Sequence, residues 1–285
     1  MLTLGINTKP RLSNETFCLL RDIIYTKCGI YFADNKKYLL ETRLSRRLEE
    51  KNLKSFEDYY YYLTYDPDRG KELTSVLNAI VTNETSFFRD QAQLDAFIDG
   101  VIPRVLERKS KSSDKKVRIW SAASSTGEEP YTLGIMMLES KLPARGFGVE
   151  IVGSDISDNV LRSAEAATYE KYSLRNTPQE YLQRYFHGTG PSYVLDRRVK
   201  ELVRYRKINL VNSMDTRMVK GIDVIFCRNV LIYFDDASKK KAVGHLYDSM
   251  VKGGYLFVGF SETLHNITRL FRPVSIERSV VYQKV

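Results

Sequence analysis

The sequence predicts an α/β fold: a doubly wound, mostly parallel sheet preceded by an all-helical segment. Three observations carry this. From Val117 onward, short apolar runs alternate with amphipathic stretches of helical period. Residues 10–80 show helical periodicity alone. Between the first apolar run and the first helical stretch lies Ser121-Ala-Ala-Ser-Ser-Thr-Gly127-Glu128-Glu129-Pro130, a turn of very small residues. Strand, small-residue turn and helix is the unit by which such folds bring backbone close to a nucleoside.

In the N-terminal domain, residues 10–80, helices are expected over 16–26, 35–51, 55–64 and 70–80, with polar breaks between them. Leu40, Leu44 and Leu48 recur every four residues and are expected to face a core. Arg43, Arg46 and Arg47 lie on other faces of that helix, with Lys36 and Lys37 just before it. Such a basic stripe either stays solvated or docks an acidic helix of a partner. The Tyr59–Tyr62 run is read as core and interface aromatics.

Residues 81–100 are read as a linker and 101–285 as a second domain. Its strands are expected over 117–121, 149–154, 202–207, 222–226, 254–260 and 279–284. Its helices are expected over 129–140, 157–166, 178–184 and 237–251. The last strand, hairpin-like on an otherwise parallel sheet, fits a seven-stranded Rossmann-like methyltransferase sheet. Residues 169–206 are long for one crossover and are read as a small antiparallel β insertion around His187-Gly-Thr-Gly-Pro191.

Composition narrows the class. Hydrophobic residues make up 43% of 285 residues, enough for buried cores. No run of about 18 apolar residues occurs, so no membrane insertion is expected. Met1–Asn7 lacks the basic flank and apolar core of a signal peptide. Cys18, Cys28 and Cys227 lie far apart with no C-x-x-C, which fits free thiols in a reducing cytoplasm. His187, His245 and His265 show no metal-ligand spacing, so no metal is expected. The net charge is +9, most of it beyond residue 90. Part of it sits in Lys109–Lys116, read as a solvated loop. A basic balance suits nucleic acid or an acidic protein.

The turn at 121–130 has one glycine, not G-x-G-x-x-G. Glu128 and Glu129 suit a helix start but would repel a pyrophosphate. They tolerate a cofactor with a cationic amino group and a sulfonium, which points to S-adenosylmethionine rather than NAD or ATP. Val149–Asp155 reads as the next strand, ending in an acid. Asp155 is either the N-cap of the following helix or an acceptor for ribose hydroxyls. Its spacing from Gly127 favours the ribose role.

Four motifs then fall in order along the chain: Asn83-Glu-Thr-Ser-Phe-Phe-Arg89; Ser125-Thr-Gly-Glu-Glu-Pro-Tyr131; Ile225-Phe-Cys-Arg-Asn-Val-Leu-Ile-Tyr-Phe234; and Gly253-Gly-Tyr-Leu-Phe-Val-Gly-Phe-Ser-Glu-Thr263. Together they resemble the CheR family of chemotaxis receptor glutamate O-methyltransferases, over nearly the whole chain. The resemblance implies a cytoplasmic enzyme that uses S-adenosyl-L-methionine, releases S-adenosyl-L-homocysteine, and esterifies glutamates on cytoplasmic helices of methyl-accepting chemoreceptors. It implies that Asn83, Thr85 and Arg89 border the cofactor's methionine end. Glu128 would be the acidic contact, with Glu129 a weaker candidate, and Ala122 would lie beside it. Asp155 would bind the ribose, Asn209 and Leu210 the adenine edge, and Arg228 and Asn229 the pocket floor. Arg89 and Tyr233 would serve at the transferring methyl. Arg43, Arg46 and Arg47 resemble the family's receptor-docking helix. Some members also bind a receptor C-terminal peptide through the β insertion, and the loop at His187–Pro191 fits that region. Nothing demands an oligomer, so a monomer is expected.

Two other classes compete. A nucleic-acid methyltransferase would usually carry a D/N-P-P-Y/F-type motif where this chain has Arg228-Asn-Val-Leu231, without proline. A non-enzymatic binding protein need not keep Arg89, Glu128, Asp155 and Tyr233 together.

Overall fold

The computed structural model describes residues 10–285, so the N-terminal stretch Met1–Asn7 lies outside the described residues. The chain divides into two compact units, with the boundary between Thr82 and Asn83.

The first unit holds helices Asn14–Cys28, Lys37–Glu50, Phe56–Tyr65 and Arg69–Ile80. Serine starts two of them: Ser13 accepts from the Thr16 N–H at 3.1 Å, and Ser55 from the Asp58 N–H at 3.0 Å. Gly29, at φ +74°, ends the first in the left-handed region that glycine tolerates. Leu40, Leu44 and Leu48 are buried as expected, with Leu20, Ile24 and Phe56. The tyrosine run splits: Tyr59 is fully buried, while Tyr61 is exposed. Glu72 is buried among these helices with all its partners supplied. Arg47 donates to it at 2.9 and 2.8 Å, and the Tyr59 hydroxyl at 2.6 Å. Lys51 stands 3.3 Å away. A buried carboxylate persists when paired and hydrogen-bonded in this way.

The second unit contains ten strands: β1 Lys116–Ala122, β2 Gly148–Asp155, β3 Thr168–Glu170, β4 Phe186–Thr189, β5 Ser192–Leu195, β6 Val203–Lys207, β7 Ile222–Cys227, β8 Met250–Val258, β9 Phe271–Ile276 and β10 Ser279–Lys284. Seven form one sheet in the order β6-β2-β1-β7-β8-β10-β9. The first five of these run parallel, and β10 is antiparallel to both its neighbours. Strand β1 is the middle one of the five parallel strands: Trp120 lies opposite Val152 on one side and Ile225 on the other. Strand β7 is buried along its length, which is why all but Asp223 of it is apolar. Strands β3, β5 and β4 make the small antiparallel sheet. The run at 202–206, placed in the insertion from sequence, instead supplies β6 at the edge of the large sheet.

Three expectations needed correction. Strand β9 went unread because it carries Arg272 and Pro273 and shows no clean alternation. Proline is tolerated there because β9 is an edge strand. Helical structure runs from Gln91 through Ser110, beginning inside the segment read as linker. Gly100 lets it lie flush on β9, since a Cβ there would sit 2.1 Å from Ile276 Cγ2. Lys109 is buried, not part of a solvated loop. Its Nζ lies 3.2 Å from Asp223 and 3.0 Å from Asp114. Asp223 also accepts from Arg108 at 2.5 Å and from the Arg118 N–H at 2.9 Å. This cluster closes the end of the sheet away from the strand C-termini, leaving the opposite edge for chemistry.

Candidate active site

The turn after β1 reverses direction through three left-handed residues: Ala123 at φ +66°, Ser125 at +49° and Gly127 at +95°. Gly127 is required on two grounds. Its φ disfavours a side chain, and a Cβ there would sit 2.5 Å from Tyr205 Oη and 2.9 Å from Ala164 Cβ. The turn thus rests directly on an aromatic floor of Tyr131, Tyr169 and Tyr205. Tyr169 donates its hydroxyl to the Thr126 carbonyl at 2.9 Å.

Asp155 ends β2 and faces this turn. The Ser125 and Ser157 N–H groups each donate to its carboxylate at 3.0 Å. Ser157, not Asp155, caps the following helix Asp158–Ala166. Asp155 is buried, and burial pushes its carboxyl above the usual range against the pull of those N–H groups. The carboxylate keeps acceptor capacity beyond these backbone donors.

Glu128 and Glu129 are adjacent but occupy different surroundings. Glu128 is 2% exposed. Its carboxylate accepts from the Thr126 hydroxyl at 2.7 Å and the Ser173 hydroxyl at 3.0 Å. Burial raises its pKa. The Glu129 side chain is 17% exposed and accepts from the Ser121 hydroxyl at 2.7 Å. Arg228 donates to its other oxygen at 3.3 Å. Burial raises its pKa too, opposed by the charges of Arg228 and Arg89 and the Ser121 hydrogen bond. Glu129 is the carboxylate left reachable beside two cations.

The Asn83–Arg89 motif is pinned from below. Phe87 packs edge-on against Tyr169 and Phe186, at 4.8 and 4.9 Å between centroids. Phe88 stacks on Tyr181 at 5.4 Å, and its N–H donates to Thr132 Oγ1 at 3.1 Å. Both phenylalanines are core residues. Arg89 donates to the Glu84 carbonyl at 3.1 Å, and its own carbonyl accepts from Arg228 at 3.1 Å. Arg228 also pairs with Asp90 at 3.5 Å. This buried guanidinium therefore joins the motif to Glu129. Asn83 is exposed, and its carbonyl accepts from Ser125 Oγ at 3.4 Å. Thr85 is half-buried, and Ala122, the last residue of β1, is fully buried.

Asn209 follows β6, with its N–H donating to Asp215 at 3.0 Å. The Leu210 carbonyl meets His245 Nδ1 at 2.8 Å. Asn229 follows β7 in the left-handed region at φ +57°. Tyr233 ends the short 3₁₀ turn Leu231–Tyr233 and is half-buried. Glu262, not singled out from sequence, receives the N–H groups of Asn229, Ile232 and Gly259. A lone carboxylate just past the C-terminal end of a parallel strand was the available signal.

The basic residues of the first unit are not one free stripe. Arg47 is committed to Glu72 and Glu50. Arg43 donates to the Ile80 carbonyl and, at 2.8 Å, to Thr82 Oγ1. Arg46 is 85% exposed and pairs along the helix with Glu50 at 2.9 Å.

Both units of the chain have counterparts among known proteins. The family model for the CheR methyltransferase SAM binding domain matches residues 83–280. That for the CheR methyltransferase all-alpha domain matches residues 15–81. Chemotaxis protein methyltransferase 2 of Vibrio cholerae is 35% identical over 274 residues, 96% of this chain and 94% of that protein. Chemotaxis protein methyltransferase 2 of Pseudomonas aeruginosa is 36% identical over 272 residues, 94% and 93% of the two chains. The chemotaxis protein methyltransferase of Borreliella burgdorferi is 34% identical over 261 residues, 90% and 91%.

Proposed function

The chain belongs to the CheR methyltransferase family, and from that premise we propose that it methylates glutamate side chains on the cytoplasmic helices of chemoreceptors. The product is a glutamate methyl ester, and S-adenosyl-L-homocysteine leaves. The observation that carries this reading is the pair of carboxylates flanking the Gly127 turn: Glu129, reachable and set beside Arg228, and Asp155, held at the end of β2.

These residues fit S-adenosylmethionine. Glu129 suits its ammonium, and Asp155 its ribose hydroxyls. Glu128, 2% exposed and bonded to two hydroxyls, supports the turn from beneath. Ala122 leaves room beside the turn. Asn209 and Leu210 would meet the adenine edge, and Arg228 and Asn229 the floor. Asn83, Thr85 and Arg89 would border the methionine end.

When bound, S-adenosylmethionine supplies a methyl group already activated on a positively charged sulfur. The receptor glutamate, with a reference pKa of about 4.3, is ionised at neutral pH and needs no strong base. What remains for the protein is alignment and exclusion of water, and positioning of this kind contributes roughly 7–11 kcal/mol. Charge is lost on the way to the ester, so a strong cation beside the glutamate would favour the ground state. Arg89, tied to the Glu84 carbonyl, accordingly acts by position. Tyr233 offers a directional hydrogen bond without net charge. Receptor helices would approach the exposed Arg46, and a receptor C-terminal peptide the small β3-β5-β4 sheet. The enzyme would act as a cytoplasmic monomer without metal.

Tritiated methyl donor with a receptor cytoplasmic fragment tests this reading. Label should transfer to the fragment and leave as methanol in alkali, as carboxyl methyl esters do. Alkali-stable label, or none transferred, would overturn it.

A further inference from the structure

We propose that Glu262 is a positioning residue for methyl transfer: it holds the loop that carries Tyr233. This rests on the function proposed above. Three backbone N–H groups from two segments converge on its carboxylate. Asn229 and Gly259 donate to Oε2 at 2.9 and 2.6 Å, and Ile232 donates to Oε1 at 3.1 Å. Asn229 and Ile232 bracket the loop leaving β7, and Gly259 follows the end of β8. The carboxylate thus ties the catalytic loop to the neighbouring strand.

The surrounding backbone is shaped for this contact. Asn229 adopts φ +57°, and a Cβ on Gly259 would sit 2.7 Å from Glu262 Oε2 and 3.0 Å from Asn229 N. Glycine is needed at 259 so that both chains can close on one oxygen. Hydrogen bonds from N–H to a carboxylate are about twice as strong as neutral ones, and a carboxylate offers two acceptor oxygens. A glutamine offers one, so it cannot satisfy donors on both sides. Past Ile232 the turn continues on its own bonds, Tyr233 N–H to the Val230 carbonyl and Phe234 N–H to the Leu231 carbonyl, each at 3.1 Å. The Tyr233 ring therefore takes its place from a turn whose anchors both end on Glu262. Misplacement of an aligning group by about 1 Å can cost on the order of 100-fold in rate.

The test uses the full chain, labelled donor and receptor fragment. Glu262→Gln is expected to lower kcat on the order of 10-fold. A double-mutant cycle separates positioning from general damage. If Glu262 acts through Tyr233, Glu262→Gln slows the Tyr233→Phe enzyme far less than it slows wild type. Rate losses that multiply would overturn the proposal, as would a loss confined to KM. If the glutamine variant does not fold, Glu262→Asp takes its place in the same cycle. A Tyr233→Phe enzyme as fast as wild type would sink the site assignment itself. A slow Tyr233→Phe enzyme beside a fast Glu262→Gln enzyme would sink this inference alone.

Discussion

Arg228 donates to the Glu129 carboxylate at 3.3 Å across 99 residues of sequence. The contact brings the end of β7 to the helix that starts after β1. Ser121 holds the other Glu129 oxygen, and the side chain remains 17% exposed. Burial holds the Glu129 carboxyl above its usual range, and Arg228 opposes that shift without cancelling it.

Binding of a donor with a cationic amino group should therefore be linked to this proton. A cation beside Glu129 favours its ionised form. Where the free carboxyl is protonated, binding must expel the proton. Affinity should strengthen as pH rises through the raised value, then level off above it. Glu129→Gln should weaken donor binding by about 10- to 100-fold, the range of one charge-assisted hydrogen bond, and flatten the pH profile. Calorimetry from pH 5 to 8 measures both. An unchanged slope in the variant would remove Glu129 from the site.

Glu128 should behave differently, because its partners are Thr126 and Ser173. Burial raises its native pKa above the unfolded value of about 4.3. The folded protein then keeps a proton that the unfolded chain has lost. That contribution to stability is complete below the unfolded value and is lost as pH rises through the native one. Glu128→Gln keeps an uncharged group that can serve both hydroxyls. Its advantage over wild type should grow across that window, by about 1.4 kcal/mol for each tenfold fall in proton concentration. Donor affinity should stay within about 3-fold, less than one hydrogen bond supplies. Urea unfolding at several pH values checks this. An offset that does not vary with pH would contradict it.

The contrast between these two acids shows what the sequence can and cannot convey. Small residues and strand periodicity made the turn at 121–130 legible, because local sterics decide them. The acidic end of β2 was legible for the same reason. Which of two adjacent glutamates stays more exposed was not, because Arg228 and Ser173 reach them from distant parts of the chain. Glu262 was hidden likewise, since its partners are backbone N–H groups that no side-chain pattern announces. On the helix Lys37–Glu50, periodicity located the buried leucines. It could not show that Glu72 of another helix takes up Arg47.

Gly127→Ala tests the turn's dependence on a missing side chain. The new Cβ would meet Tyr205 Oη at 2.5 Å and Ala164 Cβ at 2.9 Å, at a φ of +95°. Overpacking costs about 1–3 kcal/mol and the backbone conformation about 1 kcal/mol more. A loss of about 2–4 kcal/mol is expected in urea unfolding. Adding Tyr205→Phe removes the nearest atom and should recover part of it. A single substitution costing under about 0.5 kcal/mol would show that the turn is not held against its floor.

Arg46 and Arg47 separate receptor docking from folding. Arg47 binds Glu72, whose side chain is 1% exposed, so Arg47→Ala leaves a buried carboxylate short of its main partner. Removing one member of such a pair costs about 3–5 kcal/mol, and Lys51 at 3.3 Å should hold the loss near the lower end. Reduced receptor methylation by an Arg47 variant would therefore report unfolding as readily as docking. Arg46, at 85% exposure, pairs with Glu50 on its own helix, a contact contributing about 0.3–0.5 kcal/mol. Arg46→Glu should leave the melting temperature nearly unchanged. If an acidic receptor helix docks here, the variant should raise KM for the receptor fragment at low salt. The effect should shrink towards physiological salt, where the Debye length is about 8 Å. Donor affinity, set in the other unit, should not move. A receptor KM equal to wild type at every salt concentration would show that this helix face is merely solvated.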